Sequence, residues 1–170
     1  DLADKRHFPA INWLTSYSRY LDSVEDWWEE EVGENWRKYR DKAISILQEE
    51  DELREIVQLV GPDALPDRDR AVLEAAKVIR EDFLQQNAMH EIDTYCSLEK
   101  QLKMFEIVLK FYDKVVNAVE EGAPVNEVTG ISVRGEIARM KKIPENQFKK
   151  EAEKIEEKID SQVKEVLEGK

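Results

Sequence analysis

Little in this sequence crosslinks the chain or interrupts a helix. Of its 170 residues one is cysteine, five are proline and six are glycine. The lone Cys96 forms no disulfide within the chain, which fits a reducing compartment. No stretch approaches the roughly 18 consecutive apolar residues of a membrane-spanning helix, so direct membrane insertion is not expected. Cations are in deficit: 26 Lys and Arg stand against 38 Asp and Glu, a formal net charge of −12. A surface of that sign repels phosphate backbones and anionic lipid, which excludes nucleic acid as an expected partner. The composition describes a soluble, cytosolic, acidic protein. The start, Asp1-Leu2-Ala3-Asp4, has neither an initiator methionine nor a signal-peptide pattern and reads as a piece excised from a longer chain.

Catalytic equipment is missing as well. A phosphate-binding loop ends in Gly-Lys-Ser or Gly-Lys-Thr, and the Gly-Lys here is Gly169-Lys170 at the chain end. His7 and His90 are far apart, with no histidine or cysteine at ligand spacing, so no metal site is expected and both read as solvated or locally hydrogen-bonded. Cys96 has no neighbouring base to make it a nucleophile and reads as a half-buried structural thiol. Pairs such as Glu30-Glu31 and Glu49-Glu50 read as solvated helix faces, because catalytic carboxylates need unlike environments across a cleft. No residue is assigned a catalytic role.

What is present is helical periodicity. Tyr17, Tyr20, Leu21, Val24, Trp27 and Trp28 predict an amphipathic helix from Ser16 to Glu31. Trp13, Trp27, Trp28 and Trp36 are expected in core or interdomain packing. From Glu34 to Val60 the pattern recurs and shifts phase at the acidic cluster Glu49 to Glu52, which predicts two consecutive helices, the second carrying Leu53, Ile56, Val57 and Val60 inward. Pro66-Asp67 opens a helix with Val72, Ala75, Ala76, Ile79 and Phe83 on one stripe, ending near Gln86. Ser97 is placed to cap a long helix with the seam Leu98, Leu102, Phe105, Leu109, Tyr112, Val116 and Val119, stopped at Gly122. Short helices follow over residues 125–129 and 133–142. Glu145 to Glu168 forms a terminal helix with a narrow stripe, Phe148, Ala152, Ile155, Ile159 and Val166, interrupted by Gln162. No segment alternates as a half-buried strand does. The fold class is therefore all-α, a multi-helix bundle with a long C-terminal helix. The expected organisation is a linker over 1–15, a main bundle over 16–121, connecting short helices over 122–144 and a terminal helix over 145–170. Charge divides along the same lines, −7 over residues 1–60, −5 over 61–121 and zero beyond. The stretch Glu25 to Glu34 carries six carboxylates and no base, a surface suited to a basic partner or simply to solubility.

Four stretches stand out, the first of them too aromatic and too irregular to be generic helix. They are Arg6-His7-Phe8-Pro9-Ala10-Ile11-Asn12-Trp13-Leu14-Thr15-Ser16-Tyr17-Ser18, Val60-Gly61-Pro62-Asp63-Ala64-Leu65-Pro66, Glu81-Asp82-Phe83-Leu84-Gln85-Gln86-Asn87-Ala88, and Asp93-Thr94-Tyr95-Cys96. In this order they resemble the C-terminal helical domain of the catalytic A subunit of archaeal A-type and vacuolar-type rotary ATP synthases, over about residues 1 to 142. The resemblance implies that phosphate loop, Mg²⁺ ligands and catalytic glutamate lie in an upstream domain. ATP or ADP with Mg would then belong to the full-length subunit, with none bound to this piece, which alone should be inactive. It also implies an adenine-pocket edge made by Phe8, Gln86, Asn87, Ala88, Met89 and Tyr95. Such a set suits a flat heterocycle, which wants an apolar slot with a few orienting polar groups. Met89 departs from the family, which often has an aromatic residue there; a thioether also packs on a ring. By the same resemblance the turn Gly61, Pro62, Asp63, Ala64, Leu65, Pro66, Asp67 and Arg68 meets the central stalk, where two prolines stiffen it. The implied partners are the non-catalytic B subunit, the central-stalk subunits and the peripheral stalk, in a cytoplasmic complex peripheral to the membrane that couples ATP to ion transport. The alternative reading is a stand-alone acidic helical module for protein interaction.

Overall fold

The computed structural model describes residues 2–4 and 6–169; Asp1, Lys5 and Lys170, which fall within the expected linker and terminal helix, lie outside the described residues. Those described contain helices and no strand, in keeping with the all-α expectation. The helices are α1 (Glu25–Glu31), α2 (Trp36–Val60), α3 (Asp67–Lys77), α4 (Glu91–Thr94), α5 (Leu98–Glu120), α6 (Val125–Thr129), α7 (Val133–Ile137) and α8 (Glu145–Leu167). Short 3₁₀ turns occupy Asp22–Val24, Pro62–Ala64 and Met140–Lys142, and a π-helical segment, Val78–Leu84, continues α3.

The first expected helix is shorter than its periodicity suggests. Helical structure begins at Asp22, not Ser16, and among the described residues no element covers Tyr17 and Tyr20, which are exposed. α1 is held instead by its tryptophans: Trp28 stacks on Trp36 with centroids 4.6 Å apart, while Trp27 meets Trp28 edge-on. The turn between them passes close to α5, where a Cβ on Gly33 would lie 2.9 Å from Leu102 Cδ2, at a φ of +150° that disfavours a side chain.

The second expectation, two helices between Glu34 and Val60, is also corrected. α2 runs unbroken for 25 residues. The apparent phase change comes from Glu50, a buried carboxylate occupying a core position, where it pairs with Arg80 of the π-helical segment. Beyond Leu53, Val57 packs against the core as expected, but Ile56 and Val60, also expected to face inward, are exposed together with Leu59.

α5 is the centre of the bundle. Its start matches the expected cap, with Ser97 Oγ accepting from Lys100 N at 3.1 Å, and its end matches the expected stop at Gly122, whose φ is +102°. Its seam is wider than expected: Ile107, Val108, Phe111 and Val115 are buried beside Leu109, Tyr112, Val116 and Val119. A helix apolar on most sides must be covered on most sides, and α2, α3 and α8 do so. Glu145 at the head of α8 accepts from both Ser97 N and Ser97 Oγ, at 3.1 and 3.0 Å. Lys103 reaches Glu156, and Lys110 and Lys114 reach Asp160, so α5 and α8 run side by side in one direction. Gln162 does not merely interrupt the α8 stripe: Oε1 accepts from Val133 N at 3.0 Å, satisfying a free donor at the start of α7.

These pairs have two measurable consequences for stability. Replacing Arg80 alone by Met strands a buried carboxylate and should cost about 3–5 kcal/mol in urea unfolding, whereas adding Glu50→Leu should recover most of it. A single-variant loss under about 1 kcal/mol would mean that water reaches Glu50. At Asp160, burial opposes ionisation, but hydrogen bonds from Lys110 and Lys114 outweigh it and hold its pKa below the ordinary carboxylate value. Its contribution is therefore fully present above about pH 4 and is lost as pH falls through the lowered folded value. The melting-temperature gap between wild type and Asp160→Asn should accordingly close on acidification, and a gap constant from about pH 7 to about pH 2.5 would contradict this.

Candidate functional site

The irregular N-terminal segment is pinned by alternating burial. His7 is buried against Trp13, with ring centroids 5.2 Å apart, and its ring nitrogens lie 3.2 Å from the carbonyl oxygens of Pro9 and Arg80. It thus has the expected local partner in Pro9 and a remote one in Arg80, and it is buried, not solvated. With His7 turned in, Phe8 turns out and is 50 % exposed. The Phe8-Pro9 peptide is cis.

The Phe8 carbonyl accepts from Gln86 N at 2.7 Å, and Arg6 O from Gln85 Nε2 at 3.3 Å. These bonds bring the N-terminal segment against the end of the π-helical segment, so Phe8 and Gln86 meet although they are remote in sequence. From there the chain forms a closed loop. Asn87 Oδ1 accepts from Met89 N at 3.1 Å, and Thr94 Oγ1 donates to Ala88 O at 3.1 Å. Buried Asp93 accepts from Asn87 N, and Lys141 donates to Gln85 O. Sequence reasoning passed over Asp93 and Lys141 as site residues, since a carboxylate and a lysine in polar surroundings carry no signal of burial.

Of the exposed residues between Gln86 and Tyr95, all but Glu91 are uncharged. Met89 is 94 % exposed and Tyr95 83 %, with Asn87 and Ala88 also exposed. Phe8 is tied to this exposed edge by the main-chain bond from Gln86 N. The donor set lacks a charged group, so it fits a heterocyclic base and not a triphosphate or its metal ion. Among the described residues no group of three His, Cys, Asp or Glu could hold a metal ion. Cys96 beside the loop is a poor nucleophile, because burial pushes its thiol pKa up.

At the far end of the α2–α3 hairpin, Gly61 takes φ +85° and leads into the Pro62–Ala64 turn. Pro62, Asp63, Ala64, Pro66 and Asp67 are exposed, Leu65 inserts into the core, and Arg68 turns back to Glu49 (2.7 Å) and Glu120 (3.1 Å), bracing the tip against α2 and α5. The last turn of α2 adds a feature that sequence reasoning missed: Leu59 is 85 % exposed, beside Val60 and Ile56. A third exposed surface is α1 itself. Val24 N donates to Tyr20 O in the turn that precedes the helix, and Tyr20, Val24 and Trp27 are all exposed.

The N-terminal lead-in, the loop after the π-helical segment and the helical hairpin belong to an all-α domain that carries exposed apolar side chains at each of these places. Residues 25–129 match the model of the C-terminal domain of V and A type ATP synthase, and the chain belongs to that family. A relative in Methanopyrus kandleri, named as the A subunit of an A-type ATP synthase, is 58 % identical over 167 residues, covering 98 % of this chain and 28 % of the relative. The Methanococcus vannielii protein of the same name is 56 % identical over 148 residues, 87 % of this chain and 25 % of the relative. That of Pyrococcus horikoshii is 52 % identical over 160 residues, 94 % of this chain and 16 % of the relative. The chain thus spans less than a third of the length of the curated relatives it matches. None of the described helices is long and apolar enough to cross a membrane.

Proposed function

We propose that this chain is the C-terminal helical domain of the catalytic A subunit of a rotary ATP synthase or ATPase, and that it couples nucleotide state to the central stalk. In this reading the full-length protein works with the non-catalytic B subunit, the central stalk and the peripheral stalk in a cytoplasmic complex peripheral to the membrane. ATP or ADP with Mg binds mainly in an upstream domain, and this chain supplies the outer edge of the adenine site. The observation that carries the reading is the exposed Phe8 ring, fixed through its own carbonyl to Gln86 N beside the exposed Asn87, Ala88 and Met89. A ring exposed at that cost has a partner outside the domain, and a purine base matches its chemistry.

Coupling needs an element with two arrangements that both sites bias. The α3 helix and its π-helical continuation are suited to this, since they join the hairpin tip at Pro66 to the edge at Gln86. π-helical turns are rare and recur at functional positions. The tip would push or be pushed on the stalk through Gly61 to Ala64, with Ile56, Leu59 and Val60 as an apolar contact.

Phe8→Ala in the full-length subunit should weaken ATP binding about tenfold, the order of magnitude of one lost aromatic contact. Unchanged affinity by equilibrium titration would count against the stacking role. At the tip, Leu59→Ser with Val60→Ser should leave stability within about 0.5 kcal/mol, because both side chains are exposed. The same pair should reduce co-purification with the central-stalk subunits; a normal yield of complex would remove these residues from the contact.

A further inference from the structure

Three consecutive residues of the edge are gripped by their main-chain atoms from three directions. Lys141 Nζ donates to Gln85 O at 2.6 Å, Gln86 N donates to Phe8 O at 2.7 Å, and Asn87 N donates to Asp93 Oδ2 at 2.5 Å. Two of the three are charge-assisted, the stronger kind of hydrogen bond. Asp93 is 4 % exposed, so its carboxylate cannot exchange this donor freely for water.

Lys141 is itself held. It lies in the Met140–Lys142 turn, and the carbonyls of Lys141 and Ile143 accept from Lys100 Nζ at 3.0 and 2.7 Å. Lys100 is 2 % exposed, with Phe148 of α8 against its ammonium, 5.4 Å from ring centroid to Nζ. A buried cation on α5 therefore fixes the turn that carries the second cation to the edge. Lys141 also faces the half-buried Asp82, whose pKa burial raises and Lys141 lowers.

Anchoring of this density is unusual for a loop whose outward side chains are exposed. Burial of its side chains cannot account for it, since Asn87, Ala88 and Met89 face solvent. What the anchors accomplish is preorganisation: the loop is held before anything binds, so binding need not supply the ordering entropy. We propose that Asp93 and Lys141 are positioning residues for the nucleotide base, holding residues 85–87 so that the edge meets a flat heterocycle in one arrangement. This rests on the adenine reading given above. Neither residue touches the base; both act through main-chain atoms of the loop.

The test uses the full-length protein in its ATP-hydrolysing complex, with ATP as the probe. Asp93→Ala and Lys141→Ala should each raise KM for ATP about tenfold while kcat stays within about twofold, the signature of lost binding geometry and not of lost chemistry. Asp93→Asn keeps an acceptor oxygen and Lys141→Arg keeps a donor, and both should stay near wild type. Unchanged KM in both alanine variants alongside a raised KM in Phe8→Ala overturns the positioning role and leaves the adenine reading standing. Unchanged KM in all three overturns both. If Asp93→Ala does not fold, Lys141→Ala, at a half-buried position, decides the matter alone.

Discussion

The fold turns on one buried ion pair, Glu50 with Arg80. Taking both charges out of water costs several kcal/mol, and only close contact repays it. The pair is placed where that cost secures the most structure. Glu50 lies midway along α2, and Arg80 lies in the π-helical segment, so their contact sets the register of the α2–α3 hairpin. The carbonyl of Arg80 meets His7 Nε2, which extends the same register to the N-terminal lead-in. One residue thus joins three segments that are distant in sequence, its guanidinium facing one and its main chain another.

Everything nearer solvent is arranged around that join. Phe8 is outside because His7 is inside, and His7 is inside because Arg80 O and Trp13 receive it. The loop from Gln86 to Tyr95 is closed by Asp93 and Thr94 and braced from α5 through Lys100 and Lys141. α8 belongs to the same core, with Phe148, Ala152, Ile155 and Ile159 buried together with the residues of α3 and α5.

Helices whose apolar stripe is periodic and whose ends carry a chemical signal were legible from sequence. α3 with Pro66, α5 with Ser97 and Gly122, and α8 after Pro144 are of this kind. What escaped is what depends on a partner from elsewhere in the chain. Glu50 sits among Glu49, Asp51 and Glu52 and reads as solvent-facing until Arg80 is brought against it. Lys100 and Lys141 drew no reading from sequence for the same reason, because a long aliphatic stem hides where the ammonium ends. The missing first turns of α1 show the converse: Tyr17 and Tyr20 have the right spacing, but spacing forms a helix only where something covers the stripe. At the candidate site, the aromatic and amide residues were visible as a motif by resemblance alone, whereas the groups that hold them left no local trace.

The negative charge divides into two kinds once its partners are known. In the bundle many carboxylates are engaged: Asp113 by Lys42, Asp160 by two lysines, Glu49 and Glu120 by Arg68, and Glu50 by Arg80. On α1, Glu25 faces Arg37 at 3.7 Å, but Arg37 already serves Asp22 and Asp41. Carboxylates at i and i+4, such as Asp26 with Glu30, destabilise a short helix by a few tenths of a kcal/mol per pair. A seven-residue helix cannot offset this by propensity, so α1 persists through the Trp28–Trp36 stack and the turn at Gly33. Ion pairs join opposite charges one for one and leave the net charge of −12 unchanged. Its densest stretch, the six carboxylates from Glu25 to Glu34, lies beside the exposed Val24 and Trp27, and a further −5 is spread over residues 61–121.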